Sequence, residues 1–400
     1  MSLPATIDLE DLGFDRGAHI LLQRSLRSLP AGARLRVCGH DSLLAAHLAA
    51  WCRQQGHGFL PQPAENGTVV AEVVRGDAED ARWGGAERAG SPGPDGTVER
   101  ADPRWGLAAR GALVEAGGPE SGFDLDEKAG VWTDLAPRMY GQAAAAQWNP
   151  ATAIDWQASV MPPPEVEAAV VQVMTYLVEN EQAALAVPAR FLGRIHPHFR
   201  EAVQFLALQV ADEARHVEVF TRRAGLHGMT PGLSTAGGRA SLTTLLAEPD
   251  FSLATFLLSV LGEGTFLNLL AFLERYAPDS VTAEVTRLAR QDETRHVAFA
   301  MAHLEYQVER EPALRDRLRG AIERRYEALR STSGLNDLVR DALVVLAAGS
   351  WEPSAVRRGY EAVLALEAEM AEGRERRLSR LGFAPREAAE LSALHTRNYM

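Results

Sequence analysis

The chain has 400 residues, of which 46% are apolar and 24% charged, and its formal net charge at pH 7 is −12. This length suffices for two or three globular domains, and the acidic balance argues against nucleic acid or a membrane surface as a partner. The two cysteines, Cys38 and Cys52, are too few for a disulfide framework, a four-cysteine zinc site or an iron–sulfur cluster. The N-terminal segment is acidic and has no apolar signal core, which predicts a cytoplasmic protein.

Residues 5–75 have the pattern of a small α/β unit. The segments LRVCG and GTVVAEVV are strand-like, and RGAHILLQRSLRSL and LLAAHLAAWCRQQGH have helical periodicity. The unit, assigned to residues 1–78, resembles the two-layer TusA-like sulfur-carrier fold. That family places a reactive cysteine just after its first strand, whereas this chain has GFDRGAH there. We therefore expect Cys38 and Cys52 to be buried apolar side chains, and the unit to serve docking or oligomerisation, including a possible homodimer.

The rest of the chain is predicted to be helical behind an irregular segment. Residues 76–122 are rich in glycine, proline and charge, so the segment 79–134 is interpreted as a linker. From 135 to 400 long helical periodicity predicts a mainly α domain, a helical bundle with extra helices. Its helices are expected at 164–187, 199–225, 251–275, 279–310, 312–330, 335–349 and 353–380.

The segment FSLATFLLSVLGEGTFLNLLAFL (251–273) is long and apolar enough to span a membrane. Glu263 stands near its middle, where an unpaired carboxylate in lipid would be costly. Because no second segment of this kind occurs, we predict a buried bundle helix, in which Glu263 needs a partner.

A doubled motif, Asp-Glu-x-Arg-His, occupies residues 212–216 and 292–296. In each copy the Glu and the His are three residues apart, which places both on one face of a helix. Such a pair on a single helix is usually a solvated surface. Two copies at similar distances from an upstream acid favour a shared site instead.

An isolated glutamate precedes each copy by about one helical hairpin. Glu263 shares a 3.6-residue stripe with apolar residues such as Phe256 and Leu270, and Glu181 shares one with Met174 and similar residues. Glu179 lies on a polar stripe, so helical phase selects Glu181. The separations, 32 residues from Glu181 to Glu213 and 30 from Glu263 to Glu293, indicate a duplicated helix-pair layout.

Four carboxylates and two imidazoles projecting into a bundle are the ligand set of a dinuclear metal site. Two divalent cations would balance the four carboxylates, which would otherwise repel one another. Mixed nitrogen and oxygen ligands favour iron or manganese over zinc, with the two ions held roughly 3.5–4 Å apart.

Charged residues beside the ligands are expected to support them. Asp212 and Asp292 directly precede the motif glutamates, and a carboxylate there can accept the free ring N–H of a ligand histidine. We predict a crossed arrangement, with Asp212 on His296 and Asp292 on His216. Arg215 and Arg295 are predicted to pair with acids of the bundle.

Over residues 165–300 the chain resembles the ferritin-like di-iron superfamily. The doubled motif is most similar to its oxygenase branch of bacterial multicomponent monooxygenases, acyl-carrier desaturases and arylamine N-oxygenases. The resemblance implies a ferritin-like four-helix bundle, two iron ions (or manganese, or a mixed Fe/Mn pair) and O2 as co-substrate. It implies the metal ligands Glu181, Glu213, His216, Glu263, Glu293 and His296.

Two positions depart from branches of that superfamily. The small subunit of ribonucleotide reductase typically has a radical tyrosine four residues after the first ligand histidine, where this chain has Phe220. The arylamine N-oxygenases add a histidine one turn before the second motif glutamate, where this chain has Ala289.

Together with these patterns, the resemblance implies an O2-dependent di-iron oxygenase or oxidase that acts on a small organic substrate. Electrons are expected from a separate reductase or ferredoxin. Glu181 and Glu263 would shift between bridging and terminal binding, and a pocket would be lined by Phe220, Phe256, Val260, Phe266 and Leu267. Alternatives are an arylamine-type N-oxygenase, a ferroxidase or iron-binding protein, and a sulfur-transfer accessory. His196 and His198 are expected in a plain inter-helix turn, and the aromatic residues of 148–156 are expected to pack.

Overall fold

The computed structural model describes residues 5–63, 68–330 and 337–395, which form two compact units. The first contains the described residues up to Arg88 together with Leu113–Pro119. The second contains Ala89–Ala112 and the described residues from Glu120 onward. The chain thus leaves the first unit after Arg88 and returns to it at Leu113–Pro119, and the division into 1–78, 79–134 and 135–400 stays a prediction.

The first unit is a four-stranded sheet covered by helices. Its strands are β1 (Ala5–Asp8), β2 (Arg34–Gly39), β3 (Gly58–Pro61) and β4 (Val69–Val74). They run in the order β1-β2-β4-β3, with β1 parallel to β2 and the other neighbours antiparallel. Apolar side chains from β2, β4 and the first two helices form its core. A two-stranded sheet of β5 (Glu87–Arg88) and β6 (Leu113–Val114) completes it. The α-helices of the unit are α1 (Ala18–Arg27), α2 (Leu44–Gln55) and α3 (Ala78–Arg82).

The two cysteines differ in environment. Cys52 is buried on α2, and burial raises the pKa of its thiol to about 11, so it is a neutral apolar side chain at neutral pH. Cys38 lies on β2 and is only half-buried. The expectation of burial therefore holds for Cys52 and only partly for Cys38.

The second unit is almost entirely helical, which confirms the mainly α fold class. Short 3-10 turns occur at Pro94–Gly96, Pro103–Trp105, Lys128–Gly130, Trp156–Ala158 and Pro197–Phe199. The helices are α4 (Ala136–Ala145), α5 (Pro150–Ala153), α6 (Pro164–Leu192), α7 (Arg200–Ala224), α8 (Ala236–Leu246), α9 (Phe251–Thr255), a π-helix (Phe256–Glu263), α10 (Gly264–Arg275), α11 (Ser280–Arg310), α12 (Leu314–Leu329), α13 (Asp337–Ala348), α14 (Pro353–Arg380) and α15 (Pro385–His395).

A four-helix bundle is the centre of this unit. Helix α6 packs against α7, the α9–π–α10 segment packs against α11, and the two hairpins meet through α7 and α11. Asp250 and Asp279 cap α9 and α11, each accepting a hydrogen bond from a backbone N–H three residues later. The extra helices surround the bundle: α13 packs on α6, α14 on α10, and α4 on α7 and α11.

The long apolar helix is buried within the bundle, as predicted. Phe251–Arg275 meets the length and hydropathy of a membrane span, but 83% of its most apolar window is buried inside the protein. Its winding differs from the prediction, since Phe256–Glu263 form a π-helix. The 3.6-residue stripe assumed for Glu263 is therefore wrong; residues 251–273 are apolar all round, and Glu263 is the one acidic residue among them.

The segment interpreted as a linker has ordered roles in both units. Within the second unit, Arg110 is buried and donates to both carboxylate oxygens of Glu201, at 2.8 and 2.6 Å. The composition of this segment, rich in glycine and proline, gives no sign of the ion pair, because Glu201 lies 91 residues after Arg110 in the sequence.

A second buried ion network joins three of the four bundle helices. The fully buried Arg223 of α7 donates to both oxygens of Glu167 on α6, each at 2.8 Å, and to Asp279 at the start of α11, also at 2.8 Å. Two carboxylates therefore depend on one guanidinium for compensation of their charge.

We expect Arg223→Ala to destabilise the protein by about 3–5 kcal/mol, because it leaves Glu167 and Asp279 buried without a cation. Urea unfolding followed by circular dichroism measures the change. Arg386→Ala is the matched control, since Arg386 pairs with Glu390 on an exposed helix surface and should change the midpoint little. Equal midpoint shifts in the two variants would contradict the assignment.

Candidate metal centre

The bundle brings the six predicted ligand residues together. Glu181 comes from α6, Glu213 and His216 from α7, Glu263 from the end of the π-helix, and Glu293 and His296 from α11. Each of these side chains is at most 3% exposed. Glu179, which helical phase disfavours, is only half-buried, and it is absent from the cluster.

The six residues form two overlapping groups of potential ligands. One group holds Glu181 and His216, the other holds Glu263 and His296, and Glu213 and Glu293 belong to both. Within each group the ligand atoms lie within 4.8 Å of one another. Glu213 and Glu293 are therefore the residues that could contact both ions, and the expected shift of Glu181 and Glu263 between bridging and terminal binding stays a prediction.

Unpartnered polar atoms in the cluster fit a pair of cations. These buried atoms lack a hydrogen-bond partner among the described residues, although His296 Nδ1 and Glu213 Oε1 are only 3.0 Å apart. Buried oxygens without donors are costly, and a metal ion would satisfy several at once. The atoms are Glu181 Oε1, Glu213 Oε1, Glu263 Oε2, both carboxylate oxygens of Glu293, and His296 Nδ1.

Each histidine is oriented by an aspartate from the opposite motif copy. His216 Nε2 lies 3.2 Å from Asp292 Oδ2, and His296 Nε2 lies 3.1 Å from Asp212 Oδ2. These are the two crossed pairs that the sequence analysis predicts. With Nε2 directed at the aspartate, each ring turns Nδ1 toward the cluster glutamates, so Nδ1 is the atom that would bind a metal ion.

Two residues missed in the sequence analysis hold these aspartates. Gln147 Nε2 donates to Asp212 Oδ1 at 2.9 Å, and the Trp148 indole N–H donates to Asp292 Oδ2 at 2.7 Å. Trp148 is therefore more than a packing residue. No local signal could reveal these contacts, since they join residues 65 and 144 positions apart.

Both motif arginines contact these acids. Arg215 hydrogen-bonds Asp212 and lies 3.3 Å from Asp292 Oδ2, whereas Arg295 pairs with Asp292. The Arg215 guanidinium also lies 5.1 Å from the Trp148 ring centroid. The arginines therefore support the aspartates, as predicted, and neutralise charge behind the histidines.

The electrostatics of the cluster without metal show how protons substitute for cations. Burial, and then the charge of Glu213, raises the pKa of Glu181; burial, and then Glu293, raises that of Glu263. Burial alone would raise the pKa of Glu213, but His296 and His216 lower it. Burial opposes charge on His216 and His296, yet their carboxylate neighbours raise the pKa of both imidazoles.

Glu263 has its own polar contacts beside a small cavity. Gln209 Nε2 donates to Glu263 Oε1 at 3.3 Å, and the Ser259 hydroxyl also hydrogen-bonds this carboxylate. Both residues line a cavity of about 10 Å³, which is roughly the space of one water molecule. The five apolar residues predicted to line a substrate pocket are not among its lining; they pack in the bundle core.

The π-helix that ends at Glu263 is supported from outside the bundle. Arg377 of α14 donates from Nε to the Val260 carbonyl at 2.6 Å. A Cβ atom at residue 264 would lie 2.5 Å from the Arg377 guanidinium carbon, so glycine at this position makes room for the arginine. An inserted turn of this kind is common at functional sites, and here it places a ligand carboxylate.

The two histidines of RIHPHF form no part of the cluster. They flank Pro197 in a short 3-10 turn between α6 and α7, as the prediction of a turn requires, but both are buried. His196 Nδ1 accepts from the His198 backbone N–H, and His198 Nε2 accepts from the Val98 N–H at 3.0 Å. Their contacts indicate a structural role.

Comparisons with known proteins give distant structural similarity. No protein-family model and no curated protein matches the chain. Among solved structures, an R2-like ligand-binding oxidase variant with a Mn/Fe cofactor is 17% identical, covering 62% of this chain and 94% of its own, with a TM-score of 0.46. The Sulfolobus acidocaldarius R2-like ligand-binding oxidase is 13% identical, with coverages of 64% and 94% and a TM-score of 0.39.

A further solved structure is a Synechococcus protein with aldehyde deformylating oxidase activity. It is 17% identical, covers 57% of this chain and 96% of its own, and has a TM-score of 0.40. At these identities and TM-scores the similarities identify neither the family nor the activity of the chain.

Metal binding to the cluster should release protons at neutral pH. His216, His296, Glu181 and Glu263 have raised pKa values, so without metal they retain protons that two cations must displace. We expect roughly two to four protons released per chain and an apparent metal affinity that rises with pH. Titration calorimetry in buffers of different ionisation enthalpy measures the release, and metal uptake without proton release would contradict the electrostatics described here.

Proposed function

We propose that the chain is an O2-dependent dimetal oxidoreductase acting on a small organic substrate, with two iron ions or a mixed Fe/Mn pair as its cofactor. The observation that carries the proposal is the pair of buried ligand groups sharing Glu213 and Glu293. The donor set, four carboxylates and two imidazoles, suits these metals better than zinc or magnesium.

Each residue of the cluster has a defined part in this proposal. His216 and Glu181 would hold one ion, His296 and Glu263 the other, and Glu213 and Glu293 both. A bound pair of such ions supplies one-electron redox chemistry and a site for O2 reduction. Asp292 and Asp212 hold the two imidazoles in the tautomer that leaves Nδ1 free as a ligand. The bundle core keeps bulk water from the site.

The balance of the reaction requires an external donor if the enzyme is a monooxygenase. One oxygen atom of O2 would enter the substrate, and the other would become water with two electrons and two protons from outside. The chain has only two cysteines and no nicotinamide-binding fingerprint, so a separate reductase or ferredoxin is the proposed source. In an oxidase reaction the substrate itself would supply electrons.

Single residues argue against a tyrosyl-radical role and against arylamine N-oxygenation. Phe220 packs beside His216, with ring centroids 6.2 Å apart, and a phenylalanine there cannot form a tyrosyl radical. Ala289 removes the extra histidine of the arylamine N-oxygenases, which disfavours that substrate class. A ferroxidase remains the alternative of another class, and loading of many iron ions per chain would favour it.

The proposed role of the N-terminal unit is docking. The proposed location of the protein is the cytoplasm.

Glu213→Ala and His296→Ala should each lose metal and oxidase activity. Glu213 contributes to both ligand groups and His296 supplies the imidazole of one. Metal analysis of the purified chain, followed by anaerobic reduction and exposure to O2, is the measurement. We expect two metal ions and O2 consumption in the natural chain, and a loss of at least tenfold in consumption in each variant.

Glu218→Ala is the matched control, because Glu218 lies on the same helix as Glu213 but is exposed. It should retain both ions and full activity. The proposal would be refuted if the Glu213→Ala or His296→Ala protein kept two ions and the activity of the control.

A further inference from the structure

A second candidate site lies in the helical unit and shares no residue with the metal centre. It is a cavity of about 310 Å³, partly open to solvent, lined by residues of α8, the loop after it, the π-helix and α12. Its walls are largely apolar, including Ala247, Leu257 and Ala328, and its polar lining includes Glu248, Arg324 and Arg325. This volume is at the lower end of the range for small-molecule pockets.

Arg325 is the unusual member of this lining. Its side chain is buried, with the residue only 5% exposed. Nη2 donates to the Ser241 hydroxyl at 2.8 Å, but Nη1 has no hydrogen-bond partner among the described residues. No carboxylate in the described part of the chain lies within ion-pair distance of its guanidinium. A buried cation without a counter-charge is costly, so an anion bound here would be stabilised.

The neighbours of Arg325 leave its charge uncompensated. Burial lowers the pKa of Arg325 to about 10, so the guanidinium is still charged at neutral pH. Tyr176 is the ionisable group that acts on it electrostatically, and burial raises the pKa of that phenol, which therefore stays neutral. Arg324 already faces Glu248, with Nη2 and Oε2 3.7 Å apart. The cavity lining thus carries one net positive charge.

We propose that this cavity, the Arg325 pocket, binds a small organic monocarboxylate. The carboxylate supplies a counter-charge for the Arg325 guanidinium, which lines the cavity, and its apolar body packs against Ala247, Leu257 and Ala328. One negative charge matches the one uncompensated guanidinium. A phosphate dianion would leave an excess negative charge beside Glu248, and a neutral amide would leave Arg325 without a counter-ion.

Benzoate is a suitable probe. The comparison compounds are benzamide, which has a matched shape but no charge, and inorganic phosphate, which has a higher charge. Titration calorimetry on the full, metal-loaded chain should give benzoate an affinity at least tenfold higher than that of either comparison. Because benzoate can also coordinate a metal ion, the same measurement is made on Glu213→Ala. Its benzoate affinity should be unchanged, since the Arg325 pocket is separate from the cluster.

Two variants test the pocket directly. Arg325→Gln removes the charge and should weaken benzoate binding at least tenfold. Arg330→Gln, at an exposed arginine directly after the same helix, should leave binding unchanged. Ala328→Trp fills the cavity from an exposed position and should also abolish binding, so the test survives if Arg325→Gln does not fold.

Several results would overturn the proposal. These are the absence of benzoate binding at about 10 mM, equal binding of benzamide or phosphate, or undiminished binding in the Ala328→Trp protein. Loss of benzoate binding in Glu213→Ala would assign the probe to the metal cluster instead. None of these outcomes depends on oxidase activity, so the Arg325 pocket and the proposed function can fail separately.

Discussion

Four carboxylates buried in one apolar bundle repel one another unless cations or protons compensate them, and the second unit is organised around that constraint. Glu181, Glu213, Glu263 and Glu293 come from four different helices, so they meet only when both helical hairpins have packed. Without metal, protons on His216 and His296 supply part of the compensation. Two divalent ions would supply all of it and would link the four helices.

A layer of polar groups around the cluster makes this arrangement specific. The crossed aspartates orient the imidazoles, while Gln147, Trp148 and the motif arginines hold the aspartates. From α14, Arg377 donates to the π-helix that carries Glu263. Ligand position is therefore determined by helices outside the bundle as well as within it, which is how a large helical domain can preorganise a buried polar site.

Much of this site could be predicted from the sequence because its main signals are local. The Glu and His of each motif lie one helical turn apart, and Glu181 differs from Glu179 in helical phase. The π-helix could not be predicted, since its segment is apolar all round. A change of helical winding therefore leaves no mark in the periodicity of polar and apolar residues. Gln147, Trp148 and the Arg110–Glu201 pair were missed because their partners are distant in sequence. Strands β1 and β3, four residues each, are too short to show alternation.

The most direct test of the central claim is a crystal structure of the metal-loaded chain with anomalous scattering at the iron and manganese edges. The account predicts two metal peaks per chain, one beside His216 and one beside His296, with Glu213 and Glu293 bound to both ions. A single peak, or two peaks that do not share these carboxylates, would contradict it.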